Sequence, residues 1–275
     1  MPIDFEFKDR YNIEDLVNIV SLLRSPEGCE WDKAQTHFSI KKNFIEETYE
    51  AIEAINKNSP KMMREEFGDV LLQILLHCQM ESEQHHFDFD DIVNELAQKL
   101  VFRHPHVFAN SVASSEQDAL DSWNSAKQAE KNYSSNVDRL DAVPKELPAL
   151  MRAQKVQSRA SKFGYDWKKD QIGNVIQKLK EEINELEIAI SKGNKELIED
   201  EIGDILFSSV NISRFLNQDA EEVLFNSTEK FITRVKECER ISAEKSIDTL
   251  TMDETQFVEL WNNAKINLHN KTEDF

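Results

Sequence analysis

The chain has 275 residues, 40% of them hydrophobic, with 33 Lys and Arg against 52 Asp and Glu and a net charge of −19. A surface of that sign repels nucleic-acid phosphates and anionic lipid headgroups, so neither is expected as a general partner, and a site for a phosphorylated ligand needs local cations of its own. Three widely spaced cysteines, Cys29, Cys78 and Cys238, with no CxxC, fit a reducing compartment better than a disulfide frame or a zinc finger. No apolar run reaches the roughly 20 residues of a membrane span, and the opening MPIDFEFKDR lacks a basic stretch followed by an apolar one. A cytoplasmic location is therefore expected.

Six Gly and six Pro interrupt the chain rarely, and the abundance of Glu, Lys, Leu, Ala and Gln predicts long helices. In chain order, the first amphipathic helix carries Glu46, Glu47 and Glu50 beside a face of Phe44, Thr48, Ile52 and Ile55. Lys57–Pro60 turns the chain back into a second helix over 61–82, with Glu66, Gly68 and Asp69 followed by the apolar run Val70–Leu76. Lys99 and Arg103 come next, then Trp123 and Lys127. Ser134, Ser135, Pro144 and Pro148 break helical patterning and predict a linker over 131–148.

The same order then recurs. Glu181, Glu182 and Glu185 lie on a helix whose apolar face is Ile176, Leu179, Ile183, Leu186 and Ile190; Ser191–Asn194 turns the chain, and a helix over 195–216 carries Glu201, Gly203 and Asp204. The offset is constant: 182 − 47, 185 − 50, 201 − 66 and 204 − 69 are all 135. Lys230 and Arg234 match Lys99 and Arg103, and Trp261 and Lys265 match Trp123 and Lys127. The sequence thus predicts an all-α protein of tandem helical-bundle modules, 1–130 and 149–275, each with a helical hairpin whose acids can face one another.

Acids three apart share one helical face. Four such carboxylates from two antiparallel helices can converge on a hard cation, and an all-oxygen set suits Mg²⁺, with Mn²⁺ able to substitute. Acids at this spacing also occur on solvated faces. Recurrence in both copies, and the burial expected beside Val70–Leu76, favour the metal site. Gly68 and Gly203, mid-helix at equivalent places, cost about 0.5–1 kcal/mol each and are read as close helix approach or room for metal-bound water. The pairs Lys230/Arg234 and Lys99/Arg103 can clamp phosphates; Trp261/Lys265 and Trp123/Lys127 can stack on a base and hold phosphate. His104-Pro105-His106 reads as a structured loop, Glu83…His86 is the only ExxH, and no GxxxxGK[ST] loop appears.

Taken together, these residues resemble the two-module MazG-type nucleoside triphosphate pyrophosphohydrolases of bacteria. The likeness runs through LRSPEGCEWDKAQTH, NFIEETYEAIEAI, EEFGDVLLQ, KLVFRHPHVFA, LPALMRAQKVQSRASKFGYDW, EEINELEIAI, EDEIGDILFSSVNISR and EKFITRV. It departs at Glu30, where the family pattern Cys-Pro-Trp-Asp has proline. The resemblance implies a helical-bundle homodimer that hydrolyses nucleoside triphosphates of broad base specificity to monophosphate and pyrophosphate, as nucleotide-pool housekeeping. It implies Mg²⁺ on Glu182, Glu185, Glu201 and Asp204, with nucleotide contacts from Lys178, Glu181, Lys230, Arg234, Trp261 and Lys265. The first-module counterparts are Glu47, Glu50, Glu66 and Asp69, with Lys99, Arg103, Trp123 and Lys127. Glu181 and Glu182 are the catalytic candidates for orienting or deprotonating a water, and the second module is expected to be the main catalyst. A dUTPase-like pyrimidine-specific hydrolase and a non-catalytic helical interaction protein are the rival readings.

Overall fold

Local sequence sets where the helices begin and end. In the computed structural model, which describes residues 5–109, 113–131, 133, 135–168 and 170–273, the described residues form thirteen helices and no strand. These are α1 (Ile13–Arg24), α2 (Glu30–Ala34), α3 (His37–Asn56), α4 (Pro60–Glu83), α5 (Phe89–Arg103), α6 (Pro105–Phe108) and α7 (Glu116–Lys131). There follow α8 (Asn136–Asp141), α9 (Ala149–Ser161), α10 (Ile172–Lys192), α11 (Lys195–Phe215), α12 (Ala220–Lys245) and α13 (Glu254–Glu273). No described helix is long and apolar enough to cross a membrane.

The hairpins that carry the acids are built from turn chemistry. Thr36 caps α3 in a capping box with Ser39, while Ser59 caps α4 with Pro60 in its first turn. Asn194 caps α11 through the Leu197 amide. The α10–α11 reversal needs a left-handed residue, supplied by Gly193 at φ 64°; the equivalent place in the first hairpin is Asn58 at φ 46°, and 193 − 58 is again 135. Glycine and asparagine are the residues that adopt this conformation at least cost.

The chain divides into two units, Met1–Asn132 and Tyr133–Phe275. In the first, α1, α3 and α4 pack through Val20, Ile40, Leu75, Leu76 and Met80. In the second, α9, α10 and α11 pack together, with Val175 and Val210 buried, and α12 pairs with α13 through Cys238, Ile241, Leu260 and Ala264.

Several expectations are corrected. The segment 131–148 is not a bare linker: it holds α8, which packs on α9, and Val143 is buried, so most of it groups with the second unit. Ser134 lies outside the described residues. Pro105 opens the short helix α6 where a structured loop was expected, because its missing N–H costs nothing in a first turn. The apolar faces of α3 and α10 are only partly covered. Ile52 and Ile55 are exposed, and Ile176, Ile183 and Ile190, seven apart along α10, are 40%, 43% and 58% exposed. A two-helix hairpin covers one side of each helix, and an apolar stripe wider than that is left over.

The left-handed turn gives a test. Gly193→Ala should cost the full-length protein about 1 kcal/mol, whereas Asn58→Gly should change stability by only a few tenths of that amount. Urea denaturation of the two variants checks this, and equal losses would remove the assignment of these residues as equivalent turn positions.

Candidate active site

Each hairpin brings three carboxylates together. In the first unit they are Glu47 on α3 with Glu66 and Asp69 on α4; in the second, Glu182 on α10 with Glu201 and Asp204 on α11. One oxygen from each lies within 4.8 Å of the others. The fourth acids, Glu50 and Glu185, are exposed and fall outside these tight groups. They remain electrostatically coupled to them: burial first, then the Glu50 charge, holds the Glu66 carboxyl above its usual range. Burial first, then Glu185, Glu182 and Asp204, does the same to Glu201. Glu47 is also raised, by burial and then by Asp69.

A site arranged only for stability would not gather like charges this way. Glu182 is buried at 3% exposure, and its Oε1 accepts from Lys178 Nζ at 2.6 Å. Buried Glu201 Oε2 has no hydrogen-bond partner. An orphaned carboxylate oxygen within an all-oxygen donor set fits a hard divalent cation such as Mg²⁺. No histidine or cysteine belongs to either group.

The glycine between the α11 ligands is not explained by helix contact. A Cβ on Gly68 or Gly203 would meet no heavy atom within 4 Å. Close helix approach is therefore excluded within each unit, and the reading that remains is open space beside the acids.

The other predicted residues fall into two groups. Glu181, next to Glu182, is exposed and accepts a 3.5 Å hydrogen bond from Gln177 in its own helix. Lys230, Arg234 and Lys265 line a cavity of about 620 Å³ on α12 and α13, and the Arg234 guanidinium sits 5.8 Å from the Trp261 ring centroid, with Phe231 and Phe257 beside the indole. In the first unit, Arg103 and Lys127 lie 5.4 and 4.6 Å from the Trp123 ring. Arg103 is also ion-paired with Glu130 at 2.7 Å. Lys99 is exposed one turn before it. The tryptophans thus hold cations over their rings.

Sequence reasoning missed a polar group beside the second acid cluster. Glu182 and Asp204 also line a cavity of about 400 Å³ with Gln157, Asp166, Asn211 and Arg214. The available signal was a difference between the copies: Leu76 and Gln79 stand where Asn211 and Arg214 stand, since 211 − 76 and 214 − 79 are both 135.

This geometry gives each module a helical hairpin with three converging carboxylates, an all-oxygen donor set of the kind that suits a hard cation. The model of the MazG nucleotide pyrophosphohydrolase domain matches residues 35–108 and 171–239, together just over half of the chain. Over 92% of its length the chain is 42% identical to the nucleoside triphosphate pyrophosphohydrolase/pyrophosphatase MazG of Thermotoga maritima, covering 95% of that protein. It is 40% identical to the nucleoside triphosphate pyrophosphohydrolase of Escherichia coli, over 92% of this chain and 97% of the relative. An uncharacterized protein of Bacillus subtilis, YabN, is 41% identical over 90% of this chain and half of its own length. The chain belongs to the MazG nucleotide pyrophosphohydrolase family, and both matched segments contain one acid hairpin.

The repulsion has a measurable sign. A carboxyl whose pKa is raised by folding contributes stability at acid pH that is lost as pH rises through the folded-state value. Without metal at pH near 7.5, Glu201→Gln should therefore melt at or above the unmodified protein, and the difference should vanish as pH falls to about 4. Added Mg²⁺ should raise the melting temperature of the unmodified protein more than that of Glu201→Gln, which keeps only the first-module acid group intact. A melting temperature of the metal-free variant well below the parent at neutral pH would contradict this assignment.

Proposed function

We propose that this chain is a Mg²⁺-dependent nucleoside triphosphate pyrophosphohydrolase, of broad base specificity and with a housekeeping role in the nucleotide pool, whose main catalytic site is the second module. The observation that carries the reading is the Glu182–Glu201–Asp204 group, with its orphaned Glu201 oxygen, beside a polar cavity. The names of the Thermotoga and Escherichia coli relatives support the reaction class.

Glu182, Glu201 and Asp204, with Glu185 alongside, would hold the ion. Bound there, Mg²⁺ supplies charge compensation for the substrate phosphates and Lewis-acid polarisation of their oxygens. The remaining chemistry belongs to side chains. A water oxygen bonds to the α-phosphorus, the bond from that phosphorus to the bridging oxygen breaks, and pyrophosphate leaves with the bridging oxygen. Glu181, next to the ligand Glu182 and not drawn into the ligand group, orients that water and takes its proton. Lys178, already at the group through Glu182, and the Lys230, Arg234 and Lys265 cavity provide the cations that an acidic chain needs against phosphate repulsion. The first module has the acids, yet Leu76 is buried in its apolar core at the position of Asn211. That favours a structural or regulatory role there.

The reading includes a homodimer. The stripe Ile176, Ile183 and Ile190 leaves an apolar edge on the acid-bearing hairpin, and a second hairpin completing a four-helix bundle covers such an edge. Sedimentation equilibrium should give twice the chain mass, and Ile183→Glu should shift it toward the monomer.

Pyrophosphate release measured across the four ribonucleoside triphosphates and dUTP with Mg²⁺ tests the activity. Release from all of them is expected; release from dUTP alone would overturn the breadth. Glu201→Ala and Asp204→Asn should lower kcat on the order of 10²–10³-fold, while Glu66→Ala should retain most of it. Equal losses at Glu66 and Glu201 would refute the assignment to the second module. Lys230→Ala should raise KM about tenfold with a smaller effect on kcat.

A further inference from the structure

The cavity of about 400 Å³ in the second unit shares Glu182 and Asp204 with the acid group, so a ligand held by those acids extends directly into it. Two amides in its wall are fixed in opposite senses. Gln157, only 6% exposed, donates from Nε2 to the Phe207 carbonyl at 2.8 Å. A carbonyl can only accept, so the nitrogen must face it. Gln157 Oε1 is left buried without a hydrogen-bond partner, which a native interior rarely tolerates. Asn211 is set the other way: its Oδ1 accepts from Arg214 Nε at 3.0 Å and from Nη2 at 2.7 Å. A guanidinium only donates, so Asn211 keeps its amide nitrogen as a donor. Arg214 is itself held by Asp166 at 2.8 Å. The aromatic rings of Tyr165 and Trp167 complete the lining, both exposed.

We propose that this cavity is the nucleobase site: Gln157 Oε1 accepts from a base N–H, and Asn211 Nδ2 donates to the acceptor next to it. The inference rests on the acid group being the phosphate site. Adenine and cytosine offer an amino group beside a ring nitrogen, and guanine and uracil a ring N–H beside a carbonyl. One acceptor and one donor therefore demand a base without choosing among the four, and breadth follows from the wall chemistry. The first module carries Leu76 and Gln79 in place of Asn211 and Arg214 and lacks this arrangement.

The test uses the full-length protein and product-like ligands, so it does not depend on turnover. Uridine 5′-monophosphate and 3-methyluridine 5′-monophosphate are titrated against tryptophan fluorescence. The methyl group removes the N–H that Gln157 would accept, so the unmodified protein should bind the methylated ligand about tenfold or more weakly. Gln157→Met should bind the two alike, and Trp167→Phe should abolish most of the quench. Equal affinity in the unmodified protein, a preference that survives in Gln157→Met, or a quench that depends on Trp261 instead of Trp167 would each overturn the proposal. If Gln157→Met does not fold, Asn211→Leu takes its place, since the first module already carries leucine at that position; it should weaken uridine 5′-monophosphate binding about tenfold, and unchanged binding overturns the proposal. Pyrophosphate release that is lost in Glu201→Ala but indifferent to Gln157 would leave the acid-site reading standing and remove this one alone.

Discussion

Carboxylates brought within 4.8 Å of one another repel, and each module uses the packing of two long helices to keep them there. The apolar contacts of Val20, Ile40, Leu75 and Leu76 in the first unit, and burial of Val175 and Val210 in the second, fix the hairpins whose facing sides carry the acids. Burial of apolar surface is the favourable quantity large enough to oppose such repulsion. Burial first, and then the neighbouring acids, hold the Glu47, Glu66 and Glu201 carboxyls above their usual range. In the proposed reading, a bound cation would offset that repulsion and turn it into binding energy.

Much of this was legible in the residues. The repeated EExxE and ExGD spacing located both hairpins, and the expected second helices, 61–82 and 195–216, match α4 and α11 to within one residue at each end. Helical periodicity puts Glu66 with Asp69, and Glu201 with Asp204, on one face, and the hairpin turns set those faces against Glu47 and Glu182. Other features were not legible, for physical reasons. Periodicity marks a face as apolar without saying what covers it, so the pattern that puts Ile183 and Ile190 on the apolar face does not reveal that they are exposed. Gly68 and Gly203 left two readings, close helix approach or open space, and choosing between them depends on neighbours no sequence lists in space. A repeat comparison selects what two copies share and passes over what one copy has changed. Gln157 and Asn211 were missed on that account.

The two modules have therefore diverged in what surrounds a common acid frame. In the first, apolar Leu76 fills the space next to the hairpin; in the second, Asn211 and Arg214 leave it polar and hollow. Their cation–tryptophan pairs differ too: Arg103 is tied to Glu130 and lies over Trp123 with Lys127, whereas Lys230, Arg234 and Lys265 face a cavity.

The isoleucine stripe on α10 has a consequence for ionic strength. Apolar edges favour association between copies, while a charge of −19 on each chain opposes it over distances comparable with the Debye length, about 10 Å at 0.1 M salt. Salt screens the opposition and leaves the apolar contribution intact, so the proposed self-association would tighten as salt is added. Capture of a polyanionic ligand by lysine and arginine runs the other way and slackens under the same addition. In the proposed reading a single dissolved electrolyte thus pulls assembly and ligand capture in opposite directions.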